Sequence, residues 1–238
     1  MKPLPINAKA FVAFMALGGL AVFSKALLGW NGPHDLPKFL AYLLVAMAAT
    51  RLKVSLPGMT SSMCVNLPFI MVALIELSLP EGLIIAAAST FVQSFWPESK
   101  KRNLVLVGFN VSVLVLAAQA SWLVLRHGFH NPALLIVTGT LSILVANTMP
   151  VAMIIAMTEA GKTLRTWFHI LQLTFPYYSL VAGIPALVKL ANYAVGWRVP
   201  LFILPAMFLV YRSYVAYFRR LVQPAQNHPR AMAHTAAG

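Results

Sequence analysis

Between residues 10 and 218 the chain runs through eight apolar stretches separated by short basic breaks, and this alternation decides what it can fold into. The stretches are residues 10–30, 37–50, 65–79, 82–96, 104–125, 133–157, 168–188 and 200–218. A helix needs about 20 mostly apolar residues to cross the hydrocarbon layer, and a shorter one crosses only where neighbours bury its end. Charged residues make up 10% of the chain, against about 25% in a soluble domain, so no water-facing shell can be built around these stretches. The sequence predicts an all-α integral membrane protein, a polytopic helical bundle of about eight transmembrane segments with kinked or short helices. The second, third and fourth stretches are short, so a six-span count with two re-entrant or broken pieces stays open. One transmembrane domain over residues 1–222 and a flexible cytoplasmic tail over residues 223–238 follow from the same pattern.

Eighteen Lys and Arg against five acids give a net charge of +13, which would suit nucleic acid if the cations were clustered. They lie instead at the ends of the apolar stretches, where basic residues set orientation and meet anionic headgroups; the partner they imply is the lipid bilayer, with no nucleic acid. Alternate breaks differ in basic content. Lys2, Lys9, Arg51, Lys53, Lys100, Lys101, Arg102, Lys162, Arg165, Arg219 and Arg220 fall in one set, and Lys25, Lys38, Arg126, Lys189 and Arg198 in the other. The richer set predicts that both termini are cytoplasmic. The first stretch runs on to Trp30, which favours a retained anchor over a cleaved signal. Cys64 is the single cysteine, which excludes an intrachain disulfide and a thiolate cluster.

Trp30, Trp96, Trp122, Trp167 and Trp197 lie near stretch ends, where an amphipathic ring prefers the headgroup layer. Pro150, Pro176, Pro185 and Pro205 each remove a backbone donor within or near a stretch and predict bends. Residues 51–66, with Pro57, Gly58, Thr60, Ser61 and Ser62, are too polar to face lipid and predict a cytoplasmic loop or a short extended hairpin tucked against the bundle. Residues 163–172 mix polar and apolar side chains and predict an interfacial helix leading into the seventh stretch.

An ionisable group inside a bilayer is costly and therefore a functional candidate. Glu76 lies clearly within a stretch and is either a ligand-facing carboxylate or a partly hydrated structural one. Glu81, just beyond Pro80, has the simpler role of satisfying free N–H groups at a helix start. Gln93, Asn110, Gln119 and Asn147 carry amides into the fourth, fifth and sixth stretches and are expected to point inward. Helix-to-helix hydrogen bonding and a small polar cavity would use the same groups, and together with Glu76 they form the candidate ligand-binding set. Tyr177 and Tyr178 after Pro176 read more naturally as core or interface aromatics.

Catalytic chemistry lacks its parts. The chain has no H-E-x-x-H, Cys-x-x-Cys, G-x-x-x-x-G-K-[ST] or G-x-S-x-G, so zinc hydrolysis, redox catalysis, nucleotide hydrolysis and acyl transfer are not expected. His34, His127, His130, His228 and His234 are in breaks or the tail, and His169 beside Arg165 suits a headgroup. We expect no catalytic residue, no metal ligand and no cofactor.

The order of features resembles a known family. Arg51-Leu52-Lys53 precedes a polar segment entering an apolar helix at Val65-Asn66-Leu67; Leu79-Pro80-Glu81, Ala86-Ala87-Ala88 and Gly108-Phe109-Asn110 follow. Asn147 then precedes a stretch ending in Thr158-Glu159-Ala160-Gly161-Lys162, and the last stretch carries Val210-Tyr211-Arg212-Ser213-Tyr214. Nearly the whole chain thus resembles the MASE-type membrane sensor domains found ahead of GGDEF or HD-GYP catalytic domains in bacterial signalling proteins. Those domains in turn look like the substrate-binding S components of vitamin transporters. The resemblance implies a multi-pass protein of the bacterial cytoplasmic (inner) membrane that binds a small molecule or lipid and relays this to a cytoplasmic effector domain. The alternative it implies is a substrate-capture subunit working with a transport module. In the family the last helix runs into a catalytic domain, whereas residues 223–238 hold no GGDEF or HD-GYP sequence, so no signalling output is assigned to these residues. Gly18, Gly19 and Ala21 would allow close helix approach in a homodimer.

Overall fold

The computed structural model describes residues 5–55, 62–95, 104–159, 161–195, 205, 207–213 and 215–216. In chain order it forms α1 (Ile6–Leu27), α2 (Leu36–Ala49), β1 (Lys53–Ser55), β2 (Ser62–Cys64), α3 (Leu67–Glu76), α4 (Leu79–Phe95), α5 (Leu104–His127), α6 (Pro132–Glu159) and α7 (Thr163–Val195). The backbone is helical again over residues 207–213. The expected tail, the basic turn at residues 100–102, Trp96 and Trp197 lie outside the described residues.

The helices begin where the sequence supplies start signals. Asp35 caps α2 by accepting the Lys38 N–H at 3.0 Å, and Pro37, which lacks a donor, occupies the first turn. Asn131 caps α6 in the same way, accepting the Ala133 N–H at 2.9 Å ahead of its bond from Leu134. Within the helices, Thr90, Thr140, Thr148 and Thr174 each donate their hydroxyl to the carbonyl four residues back. Such back-bonding leaves no hydroxyl proton without an acceptor in apolar surroundings.

Among the described helices, α1, α5 and α6, with 22, 24 and 28 residues, are long and apolar enough to cross a membrane. The apolar helices α2, α3 and α4 have only 14, 10 and 17 residues. At 1.5 Å per residue, α3 spans about 15 Å, roughly half of a 30 Å hydrocarbon layer. Its surroundings explain how so short a helix is tolerated: every residue from Leu67 to Leu74 is buried, so its ends meet protein rather than lipid.

Side-chain pairs fix the register. Phe11 meets Phe109 at 6.0 Å between ring centroids, and Gly18 faces Leu116, so α1 and α5 run parallel. Gly19 is the point of closest approach: a Cβ there would stand 2.5 Å from Ser112 Cβ. This glycine therefore serves packing within the chain. The hairpin of α5 and α6 is pinned where Ser121 Oγ donates to the Gly139 carbonyl at 2.9 Å, and that hydroxyl also touches Met71 Sδ on α3. On α7, Trp167 Nε1 donates to Thr148 Oγ at 3.0 Å. The main core gathers Tyr42, Ile70, Met71, Leu83, Ile143 and Tyr177 from α2, α3, α4, α6 and α7.

Residues 51–66 take the extended form of the two expected. Lys53 pairs Cys64, Val54 pairs Met63 and Ser55 pairs Ser62 in an antiparallel hairpin, extended by the Val65 N–H donating to Leu52 O at 3.3 Å. Two expectations are amended. The expected interfacial helix at residues 163–172 is the start of the continuous helix α7, whose Trp167 is held against α6. The third stretch stops being helical at Glu76, because Leu77 turns to an extended conformation ahead of the Pro80 helix start.

Candidate functional site

One end of the bundle holds a charged cluster that the rest of its apolar interior does not match. It forms where α1 ends, α2 begins, α3 ends and α4 begins. Lys38, in the first turn of α2, is fixed twice: its backbone N–H by Asp35 and its Nζ by Glu76 Oε2 at 3.0 Å. Tyr42, one turn further along α2, donates its hydroxyl to the same Glu76 oxygen at 2.6 Å. The Lys38 ammonium also lies 5.8 Å from the Tyr42 ring centroid, within cation–π reach. Lys38 and Glu76 are 18% and 12% exposed, so the pair is shielded yet not sealed.

Glu81 stands five positions beyond Glu76 across the α3–α4 turn and is buried, with 2% of its surface exposed. Its Oε2 accepts both the Ser78 N–H, at 2.8 Å, and the Ser78 hydroxyl. This is the carboxylate half of an S-x-x-E capping box, so the capping role expected for Glu81 is present. Its Oε1, among the described residues, is buried with no hydrogen-bond partner. The same holds for the indole nitrogens of Trp30, just past α1, and Trp122, near the end of α5. Trp30 packs edge-on against Phe39 of α2 at 6.4 Å, and the Arg126 guanidinium lies 5.4 Å from the Trp122 ring centroid.

The five residues singled out in the sequence are not gathered together. Glu76 belongs to the cluster. Asn147, half-buried on α6, donates Nδ2 to the Tyr178 hydroxyl on α7 at 3.1 Å, the helix-to-helix bond that was one of its two readings. Gln93 is half-buried, twelve residues along α4 from Glu81 and so about 18 Å away along its axis. Gln119 is half-buried on α5, whereas Asn110 is exposed on that helix rather than directed inward. Helix α5 is apolar all round, so its sequence carries no stripe to say which side faces the core. Tyr177 and Tyr178 are buried core aromatics, as read from the sequence.

Sequence reasoning passed over Lys38, Tyr42 and the Asn66–Ser89 bond, in which buried Asn66 Nδ2 donates to Ser89 Oγ at 3.1 Å. For Lys38 a signal existed. A lysine four residues before a tyrosine at an Asp-capped helix start places both on one face. Far from the cluster, at the hairpin end of α2, Ala48, Leu52, Pro205, Phe208 and Leu209 line a groove of about 560 Å³ with Arg51. None of the five sequence candidates lines it. Among the described residues no group of three or more His, Cys, Asp or Glu could hold a metal ion.

Comparison with protein-family models, with curated proteins and with solved structures gives no match for this chain.

Proposed function

We propose that the chain is a multi-pass membrane domain of about eight spans, with both termini cytoplasmic, that binds a small molecule or lipid at the Glu76 end of the bundle and relays this to the cytoplasm. The observation that carries the reading is the Lys38–Glu76–Tyr42 cluster beside the half-answered Glu81 carboxylate, at one end of a largely apolar bundle. Ionisable groups are kept in such surroundings at a cost, and they mark binding sites and pathways by default. The basic breaks put the cluster on the extracytoplasmic side and the hairpin on the cytoplasmic side. Helix α2 connects them directly, with Lys38 at one end and the β1–β2 hairpin beginning four residues past Ala49.

Relay requires that the ligand bind two arrangements of the helices unequally. A ligand that draws on Glu81 changes what holds the α3–α4 turn, and one that draws on Glu76 changes what holds the first turn of α2 against α3. That displacement reaches the cytoplasmic hairpin along a rigid 14-residue helix. Such a relay is what the resemblance to MASE-type sensor domains implies. Catalysis has no place in this reading.

Native mass spectrometry of the full chain released from nanodiscs tests it. The expected result is a small-molecule or lipid adduct that is retained by the unmodified protein and by Asn110→Ala, and lost on Glu76→Gln. A bare protein under every condition would overturn the reading.

A further inference from the structure

The Glu76 end of the bundle carries two carboxylates, and α2 answers only one of them. Lys38 and Tyr42 both go to Glu76 Oε2, while Glu81 spends one oxygen on Ser78 and leaves Oε1 buried without a donor. A buried acceptor left in that state is destabilising, so the position is tuned to receive a donor. The donor is not supplied by a neighbouring helix among the described residues.

Three features define what would fit. Among the described residues, no third acid, histidine or cysteine joins the carboxylates, so the donor set suits N–H groups better than a metal ion. Lys38 shows that an alkylammonium is accommodated here, 3.0 Å from a carboxylate oxygen and over an aromatic ring. The indole nitrogens of Trp30 and Trp122 are buried donors without acceptors, and indole N–H has no acceptor capacity of its own. They lie at this same end. Trp30 packs on Phe39, one residue from Lys38, and Ser121, next to Trp122, touches Met71 of α3. Gly82, next to Glu81, faces Leu74 of the same helix.

Resting on the ligand-binding reading above, we propose that this end of the bundle is a site for a primary ammonium that also carries a hydrogen-bond acceptor. Glu81 Oε1 receives the ammonium, and the Trp30 and Trp122 indoles donate to the acceptor. Lys38 remains on Glu76 as an internal cation, which confines the ligand's charge to Glu81. An amino alcohol free in solution and the ethanolamine headgroup of a phospholipid present the same chemistry.

The test uses the full chain in nanodiscs of phosphatidylcholine alone, titrated with ethanolamine while tryptophan emission is followed, and repeated in nanodiscs containing phosphatidylethanolamine with native mass spectrometry as readout. The expected result is a saturable emission change with ethanolamine and none with choline, whose quaternary nitrogen has no N–H. Glu81→Gln keeps an acceptor for Ser78 and is expected to weaken ethanolamine binding by about tenfold or more, the effect of one lost charge-assisted hydrogen bond. A retained phosphatidylethanolamine adduct without a response to ethanolamine would place the ammonium on a lipid and also supports the site. Equal responses to choline and ethanolamine would overturn the proposal on the unmodified protein, even if the variant failed to fold. Retention of some other molecule with no response in either arm would overturn the ammonium site and leave the ligand-binding reading standing, whereas absence of any adduct would overturn both.

Discussion

Helices α1 and α3 are both predominantly apolar, yet they stand in opposite relations to their surroundings. Helix α1 is long enough to cross a membrane, and only 17% of its most apolar window is buried in the protein, so Phe14, Leu17 and Leu20 face outward. Helix α3 is less than half as long, wholly wrapped from Leu67 to Leu74, and ends on a shielded ion pair, Lys38 with Glu76. The difference teaches that an apolar sequence has two uses in such a bundle. Where lipid is the neighbour, length and composition suffice. Where protein is the neighbour, shape and polar partners decide, and a short helix can hold a charged end in place.

Predictions that break or sharpen this contrast can be ranked by size. The largest effect is expected at the α3 end. Glu76→Leu alone leaves the Lys38 ammonium without its carboxylate and should destabilise by about 3–5 kcal/mol, while adding Lys38→Met should return most of that loss. Thermal unfolding in detergent, followed by the loss of the monodisperse peak, measures both, and equal stability of the single and double variants would sink the idea that the pair acts as a unit. Next comes the α3 core: Leu74→Ala, at a position 3% exposed, should cost about 2–5 kcal/mol in the same assay.

Smaller is the effect where α1 touches protein. Gly19→Val places a side chain against Ser112, where even a Cβ would come within 2.5 Å, and should cost about 1–3 kcal/mol. Gly18→Ala, which meets only Leu116 at 3.7 Å, should change little, and a matching loss at both positions would argue against the α1–α5 contact. Smallest is Phe14→Ala on the outward face of α1, at 72% exposure, expected within about 0.5 kcal/mol. A large loss there would mean that this face is covered by protein.

How much of this could be read from the residues differs by level. Apolar length located α1 to α6 to within about four residues at each end, because hydrocarbon selects on composition that sequence displays directly, whereas α7 starts five residues before and ends seven after the seventh stretch. The Pro57-Gly58 punctuation pointed to a loop or a hairpin, and Glu81 just beyond Pro80 pointed to a cap, because both are local chemistry. The site was half legible. Glu76 stood out as a charge in an apolar stretch, but its partner Lys38 read as one more basic residue at a span end. Nothing local in a sequence links two helix ends separated by a whole α2 and a hairpin. Asn110 was misplaced for a related reason: with α5 apolar on every side, no periodic stripe distinguishes its exposed position from an inward one.

The central claim is that the Glu76 end of the bundle and the α6–α7 turn lie on opposite sides of a membrane. Replacing Cys64, the single native cysteine, frees the chain for labelling at chosen sites. Cysteines can then be placed at the exposed positions His34, beside the cluster, and Lys162, between α6 and α7. With a membrane-impermeant maleimide on intact cells, His34→Cys is predicted to label and Lys162→Cys to label only after the membrane is opened. Labelling of both from the same side would contradict the account.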